Sequence, residues 1–373
     1  MKKKLLCTIL AMIIASSLSA CGANPNNKEN DVTSARENNE TEEIKQTTKE
    51  AETTEVIVTE AIDETVAEES VAETTLAETA PEPETVMVVP SVENFEYQYD
   101  AALGGVIIKR YKGTDFGVIL PTEIDGDPVL AIGEKAFAYI PVHTLVIPEG
   151  VEILEEAALS SIYLEDVTLP NSLKTIGSEA FMGSKKLKTI VIPESVESMG
   201  GDIFRGCTSL DNVVLPENIT CITSSMFYGC ENLKSITIPD TVTTIGRDAF
   251  RGCKSLESID LPNSIEIMES GVFEDCINLT SIVIPEKVTL IDSDVFAGCK
   301  NLTNVVLHDN IETIESWAFQ ECTKLRNLAL PDSVKTCYRF SFDGCTALTV
   351  TYKGKEYNHQ SFDKLESAVK NNH

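Results

Sequence analysis

The residues best equipped for chemistry in this 373-residue chain are its 11 cysteines. Seven of them, Cys207, Cys230, Cys253, Cys276, Cys299, Cys322 and Cys345, recur every 23 residues. Thiols at a fixed interval raise the possibilities of bridging, metal ligation and nucleophilic attack. Seven cannot all pair with one another, and side chains in a column run side by side, so bridging neighbours would have to turn towards each other. A buried stack of reduced thiols is the expected state, with a few strained bridges as the open alternative. Tetrahedral zinc needs ligands converging from several directions, and a column does not converge. Ser184, Ile162 and Ile140 occupy the same register upstream. A small, apolar side chain is all that the position demands. Cys221 and Cys337 stand where other units carry core aliphatics, and packing is expected there too.

The four histidines, His143, His308, His359 and His373, have no adjacent nucleophile and no metal-ligand spacing. The chain contains no G-x-S-x-G, H-E-x-x-H, P-loop or C-x-x-C motif. No catalytic residue, metal centre or cofactor is therefore expected, and only a triad assembled by the fold would escape this search. A polar column of Glu149, Asn171, Glu194, Glu217, Asp240, Asn263, Glu286, Asp309 and Asp332 has the charge to hold calcium. A turn wants Asp or Asn at that place anyway, and the glycine-rich nonapeptide of calcium β-rolls is missing.

Prolines mark the same interval as the thiols: Pro170, Pro193, Pro216, Pro239, Pro262, Pro285 and Pro331, with His308 in register. So do Phe181, Phe204, Phe227, Phe250, Phe273, Phe296, Phe319 and Phe342, a column that Phe137 and Leu159 extend upstream. A period of this length carrying L-x-x-I-x-I predicts an α/β repeat solenoid, a leucine-rich-repeat right-handed coil with one short parallel strand per 23-residue repeat. In one unit, Leu233, Ile236 and Ile238 face inwards and Pro239, lacking a ladder donor, closes the strand. "PDTV" then reads as a type I turn. Val242, Ile245, Ala249 and Phe250 return the chain, and Gly252 ends a short helical turn. About eight apolar side chains at roughly 1.5–3 kcal/mol each do not offset the ordering of a whole unit at about 1–2 kcal/mol per residue. Stability must therefore belong to the stack.

Acidic residues outnumber basic ones by 59 to 30, a net charge of −29 that repels nucleic acid and excludes it as a partner. Residues 1–21, "MKKKLLCTILAMIIASSLSAC", run from lysines through a short apolar stretch into small residues, as secretory signals do. Their end, "LSAC", resembles the lipobox of bacterial lipoproteins, which implies acylation of Cys21 and anchorage to the outer face of the membrane; simple cleavage after Ala20 is the alternative. Residues 22–95 hold 19 Asp or Glu, 12 Thr and four Lys or Arg, a composition that predicts a disordered acidic linker. As a flexible coil it would span on the order of 45–50 Å. An N-terminal cap over 96–130, repeats over 131–346 and a C-terminal cap and tail over 347–373 complete the expected organisation.

The units, with "IPxxVxxIGxxAFxxC" legible from Ile238 to Cys253, resemble the BspA-like leucine-rich repeats of bacterial surface proteins. The resemblance covers residues 97 to about 357. "YQYDAALGGVIIKRYKGTDFGVILPTEIDGDPVLAIGEKAF" resembles that family's N-terminal cap, and "LTVTYKGKEY" its closing hairpin. "VEILEEAALSSIYLEDVTLP" departs from the pattern at Leu159 and Ile162. The resemblance implies attachment at the cell surface and adhesion to proteins or surface polymers, and the chain is expected to act as a monomer. The expected docking face is the outward side of the strands, where Val191, Val214, Thr237, Asp260, Val283 and Val306 align beside Lys188, Lys234 and Arg326. β-Propensity on a solvated sheet explains the same valines, and a purely structural envelope spacer is the alternative function. The face has no aromatic platform for stacking sugars.

Overall fold

A computed structural model describes residues 85–371 of the chain. The signal segment, Cys21, the linker up to residue 84 and His373 lie outside these residues. From Gly105 onwards the chain winds as a solenoid of stacked coils, as the period requires. Each coil has two strand sides, where one strand per repeat was expected. The first side carries Thr144–Val146, Asp166–Thr168, Thr189–Val191, Asn212–Val214, Ser281–Val283, Asn304–Val306 and Asn327–Ala329. Along most of them only the central residue is buried, the alternation of a pleat with one face in the core. The second side carries two-residue strands such as Thr175–Ile176, Thr244–Ile245 and Thr313–Ile314. All pairings between coils are parallel and in the register of the repeat.

The third side was expected to be helical. It is a run of turns in which left-handed residues recur. Asp202, Ser225, Asp248, Gly271, Asp294 and Trp317, each two residues before the core Phe, take φ between 53° and 70°. Gly252 is left-handed at φ 71°, as its reading as a terminator requires. Two positive-φ residues per coil turn the backbone amides along the stack, and so no helix forms. The amides of Asp248, Phe250 and Gly252 donate to the carbonyls of Ser270, Val272 and Glu274 at 3.0, 2.9 and 2.7 Å. The same three bonds recur from coil to coil.

The core runs between these sides. Phe181 to Phe342 form one file of buried rings, centroids 5.3–5.8 Å apart and planes 7–20° from parallel. Phe95, Tyr111 and Phe137 continue it at the N-terminal end, with Leu159 buried between Phe137 and Phe181. At the other end Phe362 packs on Phe342, tilted by 48°. The hairpin of Phe95–Asp100 with Gly105–Tyr111 covers the first coils. Met87–Val88 pairs with Gly117–Val118. The folded unit thus begins ahead of the expected linker boundary at residue 95, because Phe95 is the ring that closes the file. The last strand, Thr349–Tyr352, pairs with Lys355–Asn358 in the expected hairpin. The C-terminal tail forms a helix, Phe362–Lys370, that buries Phe362, Leu365 and Val369 over the last coil.

The cysteine column is packing with one polar refinement. Cys207, Cys230, Cys253, Cys276, Cys299, Cys322 and Cys345 are free and buried, and each Sγ–H donates to the carbonyl of the Phe one coil earlier, at 2.9–3.2 Å. Burial pushes the Cys207 thiol up to about 12 and raises those of Cys230, Cys253, Cys276 and Cys299. Ser184, in the same register, has a buried Oγ with no partner. A C–O bond is shorter than a C–S bond, so a hydroxyl in this register reaches less far towards the preceding coil than a thiol does. Cys337 is buried as expected, whereas Cys221 is only half-buried and does not belong to the core.

In consequence Cys253→Ser should destabilise the chain by about 1–3 kcal/mol, and more than Cys253→Ala, because it buries an unsatisfied hydroxyl. Ser184→Cys should stabilise by about 1 kcal/mol. Urea midpoints check both, and a serine variant as stable as the parent would mean that the hydroxyl finds the carbonyl after all.

Candidate functional site

The strand side presents the expected face. Lys188, Val191, Val214, Lys234, Thr237, Asp260, Val283, Val306 and Arg326 are all exposed, and Val191 and Val283 each leave 63% of their surface in water. Registers Thr189↔Asn212 to Val191↔Val214 and Ser281↔Asn304 to Val283↔Val306 put the valines in pairs on adjacent rungs. Among the described residues Lys188, Lys234 and Arg326 make no ion pair. Elsewhere lysines are spent between coils: Lys174 on Glu152 at 2.8 Å, Lys254 on Glu231 at 2.7 Å, Lys287 on Glu266 at 2.8 Å. Such half-exposed pairs contribute little to stability, so their value lies in leaving the strand columns chemically unoccupied.

The face is not uniform. The first-side ladder lapses between Thr168 and Thr189 and between Val306 and Asn327, and most extensively between Val214 and Ser281, where rungs 235–237 and 258–260 are paired with neither neighbour. The valine column is interrupted at the same two rungs, by Thr237 and Asp260. On the second side the same coils stay bound, through Cys221–Ile222, Thr244–Ile245 and Ile267–Met268.

The acidic column after the strands has a structural use. Glu149 accepts from the amides of Asn171 and Ser172 at 3.0 and 3.1 Å, and Glu194 from the amide of Glu217 at 3.0 Å. These carboxylates cap the next coil's turn. Among the described residues no three His, Cys, Asp or Glu are gathered as ligands for a metal ion. His308, in the proline register, accepts the Asn310 amide on Nδ1 and is half-buried.

Two clusters escaped the column reading. Phe116, His143 and Tyr163 form a file at the N-terminal end, with centroids 5.0 and 6.3 Å apart, and His143 Nδ1 meets Glu165 at 3.0 Å. Their spacing in sequence is irregular, which hides them. His143 and Tyr163 are stacked at 17°, whereas Phe116 is tilted by 49° against His143 and remains exposed. Trp317, expected to pack beside Phe319, is instead left-handed and 45% exposed. The second cluster was legible at the 23-residue interval: Arg205, Tyr228, Arg251 and Glu274 each follow the core Phe. The guanidinium carbons of Arg205 and Arg251 lie 4.6 and 5.6 Å from the Tyr228 centroid. Arg251 also meets Glu274 at 2.8 Å and Asp248 at 3.5 Å. Burial pushes Glu274 up to about 7; Arg251 opposes this, and Asp294, Asp275 and Asp248 add to it.

Comparison with known proteins agrees with the coil geometry. The family model for the BspA type leucine rich repeat region matches residues 130–257 and 220–349, with six copies. The pneumococcal vaccine antigen PcpA is similar in structure, at 19% identity over 71% of this chain and 82% of that one, with a TM-score of 0.50. A leucine-rich-repeat protein of T. pallidum is 29% identical over 64% of this chain and 91% of its own, at a TM-score of 0.37. A leucine-rich cell surface protein of Faecalibacterium prausnitzii is 24% identical over 75% and 98%, at 0.41. No curated protein matches the chain.

Glu274 sets a pH dependence with a definite sign. A free glutamate titrates near 4.5 and the folded one near 7, so the folded chain binds the extra proton between these values. Its contribution to stability is present below pH 4.5 and is lost as pH rises to 7. Glu274→Gln should flatten the fall in thermal midpoint across this window, and an unchanged slope would reassign it to another group.

Proposed function

The chain belongs to the family of BspA-type leucine-rich-repeat proteins, and from that premise we propose that it is an exported surface protein that docks extracellular proteins or surface polymers on its strand side. The observation that carries this reading is an exposed, unneutralised set: two pairs of valines on adjacent rungs, Val191 with Val214 and Val283 with Val306, flanked by Lys188, Lys234 and Arg326. Mixed charge beside apolar area suits a protein partner. Nothing in the coil needs those side chains for folding, since their neighbours on the inner face supply the core. The lysine-led leader and "LSAC" support export and acylation at Cys21, and the acidic segment from Gly22 would hold the coil away from the bilayer. Surface recognition without catalysis is the activity proposed.

The test immobilises the whole chain and passes over it extracellular matrix proteins and envelope glycans. Retention of a component is expected, and Lys188→Glu/Lys234→Glu/Arg326→Glu should weaken it about tenfold, equivalent to about 1.4 kcal/mol. Absence of any retained component would favour a structural spacer. Cys21→Ala should abolish incorporation of radiolabelled acyl chains and release the protein from cells. A variant still held at the membrane would refute the anchor.

A further inference from the structure

The interruption of the strand ladder opens a cavity of about 340 Å³ between rungs 235–238 and 258–261. Both coils remain joined on their other sides, by Thr244–Ile245 with Ile267–Met268 and by the Phe250 amide on the Val272 carbonyl. Only the exposed face is parted. Ser235, Thr237 and Ser258 bring hydroxyls to the opening, Asp240 and Asp260 bring carboxylates, and no lysine or arginine lines it. Neither aspartate is engaged by a basic side chain among the described residues, although Glu231 and Glu266 on the same two coils are each paired with lysine. Leu261 and Pro262 are more exposed than their counterparts Ile238 and Pro239, which leaves an apolar wall beside the acidic mouth. An occupant must supply several donors, positive charge and an aliphatic stem. Anionic ligands are repelled. Val214 and Val283 flank the opening on the next rungs and would meet apolar neighbours of the occupant.

We propose that this cavity is a receptor for a basic side chain, arginine before lysine, presented by an extended segment of a protein partner. A planar guanidinium, with five donors, suits an opening that carries two carboxylates and three hydroxyls better than an ammonium with three donors does. The proposal rests on the docking function above and specifies the chemistry that one part of the face recognises.

The test measures binding of the whole chain to a short synthetic peptide carrying one central arginine flanked by valines, and to its citrulline counterpart, by fluorescence polarisation at physiological ionic strength. The arginine peptide should bind at least about tenfold more tightly, and Asp240→Asn/Asp260→Asn should remove that difference. Asp309→Asn/Asp332→Asn changes net charge equally at a distance and should leave it within about twofold. Equal binding of both peptides, no binding of either, or equal losses in the two double variants would overturn the proposal. Should a surface component be retained by the chain and by Asp240→Asn/Asp260→Asn alike, docking would stand and this receptor would fall.

Discussion

The carbonyl of the core phenylalanine holds the molecule in register. In one coil, Phe250 accepts the Cys253 amide at 3.0 Å and the Cys276 thiol of the next coil at 3.1 Å, while its own amide donates to Val272. Both lone pairs of a buried oxygen are filled, one from within the coil and one from its successor. Ring stacking then repeats at the same interval, and left-handed residues on either side aim the amides along the stack. Loss of one such carbonyl partner leaves a polar atom stranded in an apolar column, which costs more than the bond itself contributes.

Because registration is secured on the turn side, the strand side is released from that duty. The second-side ladder and the file of phenylalanines bind coils whose first-side rungs are parted at residues 235–260. A sheet that alone held the coils together could not tolerate such an opening. Here the exposed face varies in pairing and in side-chain character without disturbing the core, as a surface that discriminates partners must.

Most of the architecture was legible in the sequence because a solenoid writes each contact many times. Cys253 was readable as packing from its register-mates Ile162 and Ser184, without reference to its own surroundings. What periodicity could not convey is direction: it placed Gly252 at a turn, but not that two left-handed residues per coil would replace a helix by a third ladder. The two-residue second strands are too short to show alternation. Features that break the repeat were hardest to read. Trp317 looked like core from its neighbour Phe319, yet its backbone conformation swings the indole outwards, and Phe116, His143 and Tyr163 meet only because coils of unequal length bring them together. The nine residues of the proposed docking face share the exposed side because strand alternation and the 23-residue register place them there, while the gap among them depends on ladder bonds that no residue type announces.

The thiol file has a consequence for a chain exported as proposed. In an oxidising medium these sulfhydryls stay reduced only while the coils are closed, since burial shields them from oxidants and raises the Cys207, Cys230, Cys253, Cys276 and Cys299 thiols. A chain that frays, even briefly, exposes neighbouring sulfurs at a distance from which they can cross-link, and a wrong bridge prevents rewinding. For a chain exported as proposed, passage into an oxidising medium becomes a race between winding and oxidation, and a solenoid that loses it does not recover.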